Sequence, residues 1–248
     1  GYPQDQSAAG LASPIKGYLA AADPVVRARS HGLFYYAGLA FDRSPDASAP
    51  GKRAIFVARY VDNNNIEAGD PIAYVGTSLV AVVSAGSDVF LDKPWMAVDV
   101  PRTGAATCRL RTSRPDGPST QELPGGMVYV AYTRKSTDAS GERWDLYLSR
   151  SSDGGVTFST PVRISRAEDR VNQGAAIAVS PADGKVYVAW RRIDLAGDND
   201  AILVARSLDR GRSFARASGC ASRRRRQPAR AAMSRTCPTR RRTRPRPP

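Results

Sequence analysis

The amino-acid sequence predicts an all-β chain in which four short antiparallel strands recur as a unit, the organisation of a β-propeller blade. Three observations lead there. Segments rich in Val, Ile, Tyr and Ala alternate at short period and are punctuated by clusters of Gly, Asp, Ser, Asn and Pro, which is the pattern of strands joined by turns. The stretch Gly126-Met-Val-Tyr-Val-Ala-Tyr132 returns 58 positions later as Gly184-Lys-Val-Tyr-Val-Ala-Trp190. An eight-residue pattern, Ser-x-Asp-x-Gly-x-Thr/Ser-Phe, spans Ser151–Phe158 and recurs 56 positions on at Ser207–Phe214. A repeat of roughly 40–60 residues is that of one propeller unit.

Taken in order, the first copy opens at Asp23-Pro-Val-Val26 and places strands at Val25–Arg29, Leu33–Phe41, Ala54–Val61 and Ile72–Val83. β-Branched and aromatic residues crowd these segments, as a pleated, half-buried surface requires. His31, between the first two strands, reads as a turn residue. The second copy opens at Asp92-Lys-Pro-Trp-Met-Ala-Val-Asp99 and continues through Trp95–Val100, Met127–Thr133, Asp145–Arg150 and Pro161–Ile164. The third offers Ala175–Ser180, Lys185–Arg191 and Ile202–Arg206, and then no further aliphatic strand. About two and three-quarter blades are therefore expected. Gln6–Ala22 is long enough for a short helical turn, and residues 1–22 read as a lead-in, 23–214 as the blades and 215–248 as a tail.

Charge separates the tail from the body. The chain carries a formal +14, but its last 32 residues hold 11 arginines and no acid, leaving 26 basic against 23 acidic groups in the rest. No run of 18 apolar residues occurs, so no membrane-spanning helix is expected. Three cysteines, Cys108, Cys220 and Cys237, are too few and scattered for a disulfide scaffold or zinc ribbon. A single histidine argues against a His-rich metal site or a Ser/His pair. The chain opens on Gly1 without a charged and apolar leader, so it reads as a fragment of a longer protein.

The eight-residue pattern has a physical logic. An Asp carboxylate accepts hydrogen bonds from N–H groups of its own turn, Gly supplies a positive φ at low cost, the hydroxyls add local bonds and the aromatic ring packs into the sheet. Ser151, Asp153, Gly155, Thr157 and Phe158, and likewise Ser207, Asp209, Gly211, Ser213 and Phe214, are thus structural residues. This pattern resembles the Asp-box, or BNR, repeat of the sialidase superfamily, and Asp92–Asp99 looks like the blade opening of bacterial sialidase-like proteins. The resemblance covers residues 23–214. It implies a six-bladed propeller with each Asp-box between the third and fourth strands of its blade, at the face opposite the active site.

The other face collects blade openings and second-to-third loops. It nominates Asp92, Arg134 and Arg191 as catalytic candidates and Asp23, Lys93, Asn172, Gln173 and Arg192 as substrate-binding candidates. Lys135, Asp138, Glu142 and Arg143 share that rim. Sialidase relatives bind a sugar carboxylate with arginines there, because a guanidinium pairs both oxygens, and use an Asp acid with a Tyr activated by a Glu. The Phe/Tyr-Arg-Ile-Pro segment that supplies the first arginine of the family is absent from this chain, and no Glu or Tyr matches the late blades that carry the nucleophile pair. Asp194, Asp198 and Asp200 have oxygen ligands suited to calcium, but their spacing is not an EF-hand loop, and no cofactor is expected. Trp95, Trp144 and Trp190 suit sugar stacking, although strand positions in a blade favour the core.

Residues 217–248 contain no Leu, Ile, Val, Phe, Tyr or Trp and are expected to form no packed structure. They have the composition of an out-of-frame translation of GC-rich DNA; the alternative is an arm binding phosphates non-specifically through Arg223–Arg226 and Arg240–Arg242. The resemblance implies a secreted sialidase-like glycoside hydrolase acting on glycoconjugates, inactive as this fragment. A non-catalytic propeller binding glycans or proteins is the second reading.

Overall fold

The structure, a computed structural model, describes residues 3–42, 50–62, 71–103, 107–114, 117–195 and 199–221. Among the described residues the chain is all-β, with one short helix, α1 (Ala8–Leu11), before the first strand. The calcium candidate Asp198 and the arginine runs from Arg223 onward lie outside the described residues.

Three four-stranded antiparallel meanders follow one another. The first unit comprises β1 (Ala20–Ala28), β2 (Leu33–Phe41), β3 (Arg53–Asp62) and β4 (Ile72–Val83), hydrogen-bonded in that order. β5 (Phe90–Val98) opens the second, and the chain then leaves it for a two-stranded hairpin, β6 (Thr107–Arg114) and β7 (Gly117–Pro124). It returns through β8 (Val128–Asp138), β9 (Gly141–Ser151) and the two-residue β10 (Val162–Arg163). The third unit is β11 (Val171–Val179), β12 (Val186–Ile193), β13 (Ala201–Ser207) and β14 (Ser218–Ala221). One parallel bridge, Val171 to Trp144, joins the second and third units into a continuous sheet.

Two features depart from the sequence reading. The β6–β7 hairpin was not expected, because its strands lack the aliphatic alternation that marks the others. The third unit is complete: β14 pairs with β13 from Ser218 opposite Val204 to Ala221 opposite Ala201, and Ala217 is buried. This corrects the expectation that packed structure ends before residue 217. An outermost strand needs backbone pairing on one side only, and small residues suffice for that.

Alternate residues of each strand face the neighbouring units. Tyr35, Ile55 and Val57 of the first unit meet Leu91, Met96, Val128 and Tyr132 of the second. Tyr129, Leu146 and Leu148 on the far side of the second meet Val188, Trp190 and Leu203 of the third. The outer face of the first unit, with Phe56 and Tyr60, is covered by Ile15 and Tyr18 of the N-terminal segment. Gln4 ties that segment together by donating to the carbonyls of Ile15 at 2.7 Å and Tyr18 at 3.3 Å.

Each unit carries the same irregularity in its first strand. The register slips between Ala22 and Val25 in β1, between Asp92 and Trp95 in β5, and between Gln173 and Ala176 in β11. At each slip one residue takes a positive φ: Asp23 at 53°, Lys93 at 50° and Gly174 at 71°. A bulge of this kind bends its strand and re-aims the side chains around it.

Candidate functional site

Register places the bulges and the two turns of the repeated Ser-x-Asp-x-Gly-x-Thr/Ser-Phe pattern, which resembles an Asp-box, at opposite ends of the units. Within the β8–β9 pair, Val128 faces Ser151 at the Asp-box end, whereas Asp138 faces Gly141 at the other; Asp92, opposite Thr133, lies toward the latter.

At the Asp-box end the carboxylates serve their own turns. Asp153 Oδ1 accepts from Ser151 Oγ at 2.6 Å and from the N–H groups of Val156 and Thr157 at 3.0 Å each, and Oδ2 accepts from Thr157 Oγ1 at 2.5 Å. Asp209 repeats this with Ser207 Oγ at 2.7 Å, Ser213 N–H at 2.9 Å and Ser213 Oγ at 2.6 Å. In both turns the glycine N–H, of Gly155 or Gly211, donates to the leading serine at 2.8 Å. Partial burial works to raise the Asp153 carboxyl, but hydrogen bonds from Ser151, Thr157 and the backbone outweigh it and hold the group below the usual carboxylate value. Hydrogen bonds from the Ser213 side chain and backbone hold Asp209 well below it. Phe158 packs on the core between the first and second units, and Phe214 on that between the second and third.

At the bulge end the three first strands bring polar groups together. The Lys93 ammonium stands 3.6 Å from Asp23 Oδ1, linking the bulges of β5 and β1. Gln173 Nε2 donates to Asp92 Oδ2 at 3.0 Å, linking β11 to β5. Two cavities open here. One of about 280 Å³ is lined by Lys93, Gln173, Gly174, Trp190 and Arg191 among others. The other, of about 460 Å³ between the first and second units, is lined by Val80–Ser84, Leu91, Tyr132, Arg134 and Tyr147. Arg134 is exposed, and among the described residues no carboxylate forms an ion pair with it.

Not every sequence candidate is available to a ligand. Asn172, nominated for substrate binding, is 0% exposed. Its amide donates to the carbonyls of Trp144 at 3.0 Å and Asp169 at 2.9 Å, and its Oδ1 accepts from Trp190 Nε1 at 2.8 Å. The residue is a buried strut, which corrects the nomination. Arg192 is turned inward, donating to the Asn199 carbonyl and standing 3.7 Å from Asp169. Arg191 is over half exposed and pairs with Asp200. Asp200 also accepts from the Asp194 N–H at 3.0 Å, bracing its loop. Among the described residues, no cluster of three His, Cys, Asp or Glu groups is placed to hold a metal ion.

The indole rings have structural partners. Trp190 is buried, Trp95 lies under the Arg27 guanidinium at 4.9 Å, and Trp144 lies under the Lys135 ammonium at 5.2 Å. Asp138 and Glu142 are tuned away from acid catalysis, which needs a raised pKa. The Arg170 hydrogen bond holds Asp138 below the usual range, and that from Lys135 does so for Glu142. Burial pushes Tyr132 up to about 12, the wrong direction for a nucleophile.

Two arginines escaped the sequence reading. Arg29, just after β1, donates to the Pro124 carbonyl before β8. Arg102, after β5, pairs with the buried Asp99 and donates to the carbonyls of Ser180 at 2.7 Å and Pro181 at 3.3 Å before β12. Each clamps one unit to the next. They sit at different offsets in loops of different length, so no spacing announces them. Neither a protein-family model nor a curated protein matches the chain.

Proposed function

We propose that this chain is part of a sialidase-like Asp-box β-propeller of a secreted protein, and that its bulge end belongs to the glycan-binding rim. What supports the reading is one arrangement: Lys93, Gln173 and Arg191 line a single cavity at the end opposite both Asp-boxes. At about 280 Å³ it suits one monosaccharide, and two cations with an amide donor suit a carboxylate-bearing sugar. The activity proposed for the parent is exo-α-sialidase-like hydrolysis. Alone, the chain binds without turning over, because the rim carboxylates of Asp23, Asp92, Asp138 and Glu142 are each held in an ion pair or hydrogen bond with a neighbouring side chain.

That same engagement of the carboxylates favours the second reading, a non-catalytic propeller that binds glycans. A fluorogenic sialoside assay and a sialyllactose titration, run on this chain, test both. Binding without turnover, weakened by Arg191→Ala, is the expected result. Turnover lost on changing Asp92 would place the active site within these units, and an absence of binding to any carboxylated glycan would remove the rim assignment.

A further inference from the structure

The joint between the first and second units differs from the joint between the second and third at equivalent positions. Counted from the register slips in β5 and β11, Asp88 and Leu91 correspond to Asp169 and Asn172. By the strand repeat, Tyr132 and Arg134 correspond to Trp190 and Arg192. At the second joint these side chains satisfy one another: Asn172 accepts from Trp190 at 2.8 Å, and Asp169 stands 3.7 Å from Arg192. At the first joint Leu91 is buried but has no polar group to offer, Asp88 is exposed, and among the described residues no carboxylate forms an ion pair with Arg134. The cavity of about 460 Å³ lies at this joint.

We propose that this cavity is a second binding site, for a small amphipathic anion whose apolar body lies between β4 and the Tyr132–Tyr147 pair and whose carboxylate or sulfonate head pairs with Arg134. The lining sets the body. Tyr132 and Tyr147 stack with ring centroids 6.3 Å apart and share one core with Val80 and Leu91, a surface that favours the removal of apolar groups from water. Sugar hydroxyls would lose their hydration there for few partners, and Ser87 Oγ already accepts from the Val89 N–H at 3.2 Å. Arg134 sets the head, because among the described lining residues it alone is charged, and a guanidinium pairs two oxygens at once. The wall between β4 and β5 is held in place beforehand. Arg53 donates to the carbonyls of Ser87 at 3.3 Å and Val89 at 2.7 Å, and the Gly86 N–H donates to the Pro50 carbonyl at 2.7 Å. A preformed cavity of this volume falls within the range of small-molecule sites. Arg134, Tyr132 and Tyr147 do not line the smaller cavity, so this site is distinct from the sugar-binding one.

Fluorescence titration of the full chain with anilinonaphthalene sulfonate, an aromatic anion that brightens in apolar surroundings, tests the site without any sugar. Saturable binding of one probe per chain is the expected result. Arg134→Ala weakens it about tenfold, the scale of one charge-assisted pair, and Arg134→Lys recovers part of the loss. Arg216→Ala, which removes an exposed cation paired with Glu168 elsewhere, leaves it unchanged. Ala81→Phe, on the β4 wall, fills the cavity and abolishes the signal; should that variant fail to fold, the exposed Arg134 decides. Naphthoate and decanoate each displace the probe, the stronger of the two showing whether the body is aromatic or alkyl, and their methyl esters displace it more weakly because the head has lost its charge. No saturable binding, an affinity indifferent to Arg134→Ala, esters as effective as the acids, or displacement by sialyllactose overturns the inference.

Discussion

Gly211 packs against the ring of Tyr129: a methyl group on its α-carbon would stand 3.1 Å from Cε1, and Gly155 has the same relation to Tyr35, also at 3.1 Å. The Asp-box glycine therefore meets two demands at once, the positive φ of its turn and the approach of one unit to the ring of the preceding one. Gly174 has a positive φ too, at 71°, but nothing lies within 4 Å of an added methyl. Gly211→Ala should cost about 2–3 kcal/mol in denaturant unfolding and Gly174→Ala about 1–2 kcal/mol, the left-handed term alone. Equal losses would show that the contact with Tyr129 adds nothing.

Both Asp-box carboxylates have folded pKa values below their unfolded ones. The stability they add is therefore complete above the unfolded value, about pH 4, and is lost as the pH falls through the folded values. Asp153→Ala should cost about 1–2 kcal/mol at neutral pH, the scale of a lost cap. Unfolding followed from pH 7 downward should show the difference between wild type and variant shrinking in acid. A difference that grows would reverse the assignment.

The sequence carried the Asp-box turns, since a side chain bonding to its own backbone needs only neighbours within the pattern. It also carried strands such as Leu33–Phe41 and Ile72–Val83, whose limits match the structure, because aromatic and β-branched residues fill them. It did not carry β14, held by backbone pairing that any small residue can make. Nor did it separate Asn172 from Gln173. Both open the same strand, and only the approach of Trp144 and Trp190 determines which amide is used up. The openings of the first two units were legible as Asp-Pro and Asp-Lys-Pro, but the bulges within them were not, and the meeting of Lys93 with Asp23 depends on how the units pack.

Arg102 answers a buried charge. Asp99 is 4% exposed and holds its ion pair with Arg102, whose other nitrogen reaches across to the third unit. Arg102→Ala leaves that carboxylate without its cation and opens the joint, so a loss of about 2–4 kcal/mol is expected. Arg102→Lys should recover part of it, because an ammonium restores the charge but not the fork that spans two partners. Thermal unfolding of the two variants checks this, and equal losses would refute the geometric role.

Asn172 and Gln173 offer a direct separation of scaffold from site. Removing the Asn172 amide strands the Trp190 N–H in the interior and the carbonyls of Trp144 and Asp169 beside it. Buried groups left without partners cost about 1–3 kcal/mol each, so Asn172→Ala should lower stability by about 3 kcal/mol or more. Gln173 is only half-buried, and its side chain donates a hydrogen bond to Asp92 on the cavity wall. Gln173→Ala should leave unfolding within about 1 kcal/mol of wild type, the range of a substitution near the surface. It should nevertheless weaken sialyllactose binding severalfold, because the wall loses a donor and Asp92 is freed to repel a carboxylate. If Gln173→Ala binds like wild type while Arg191→Ala does not, the sugar lies on the β12 side of the cavity and clear of β5.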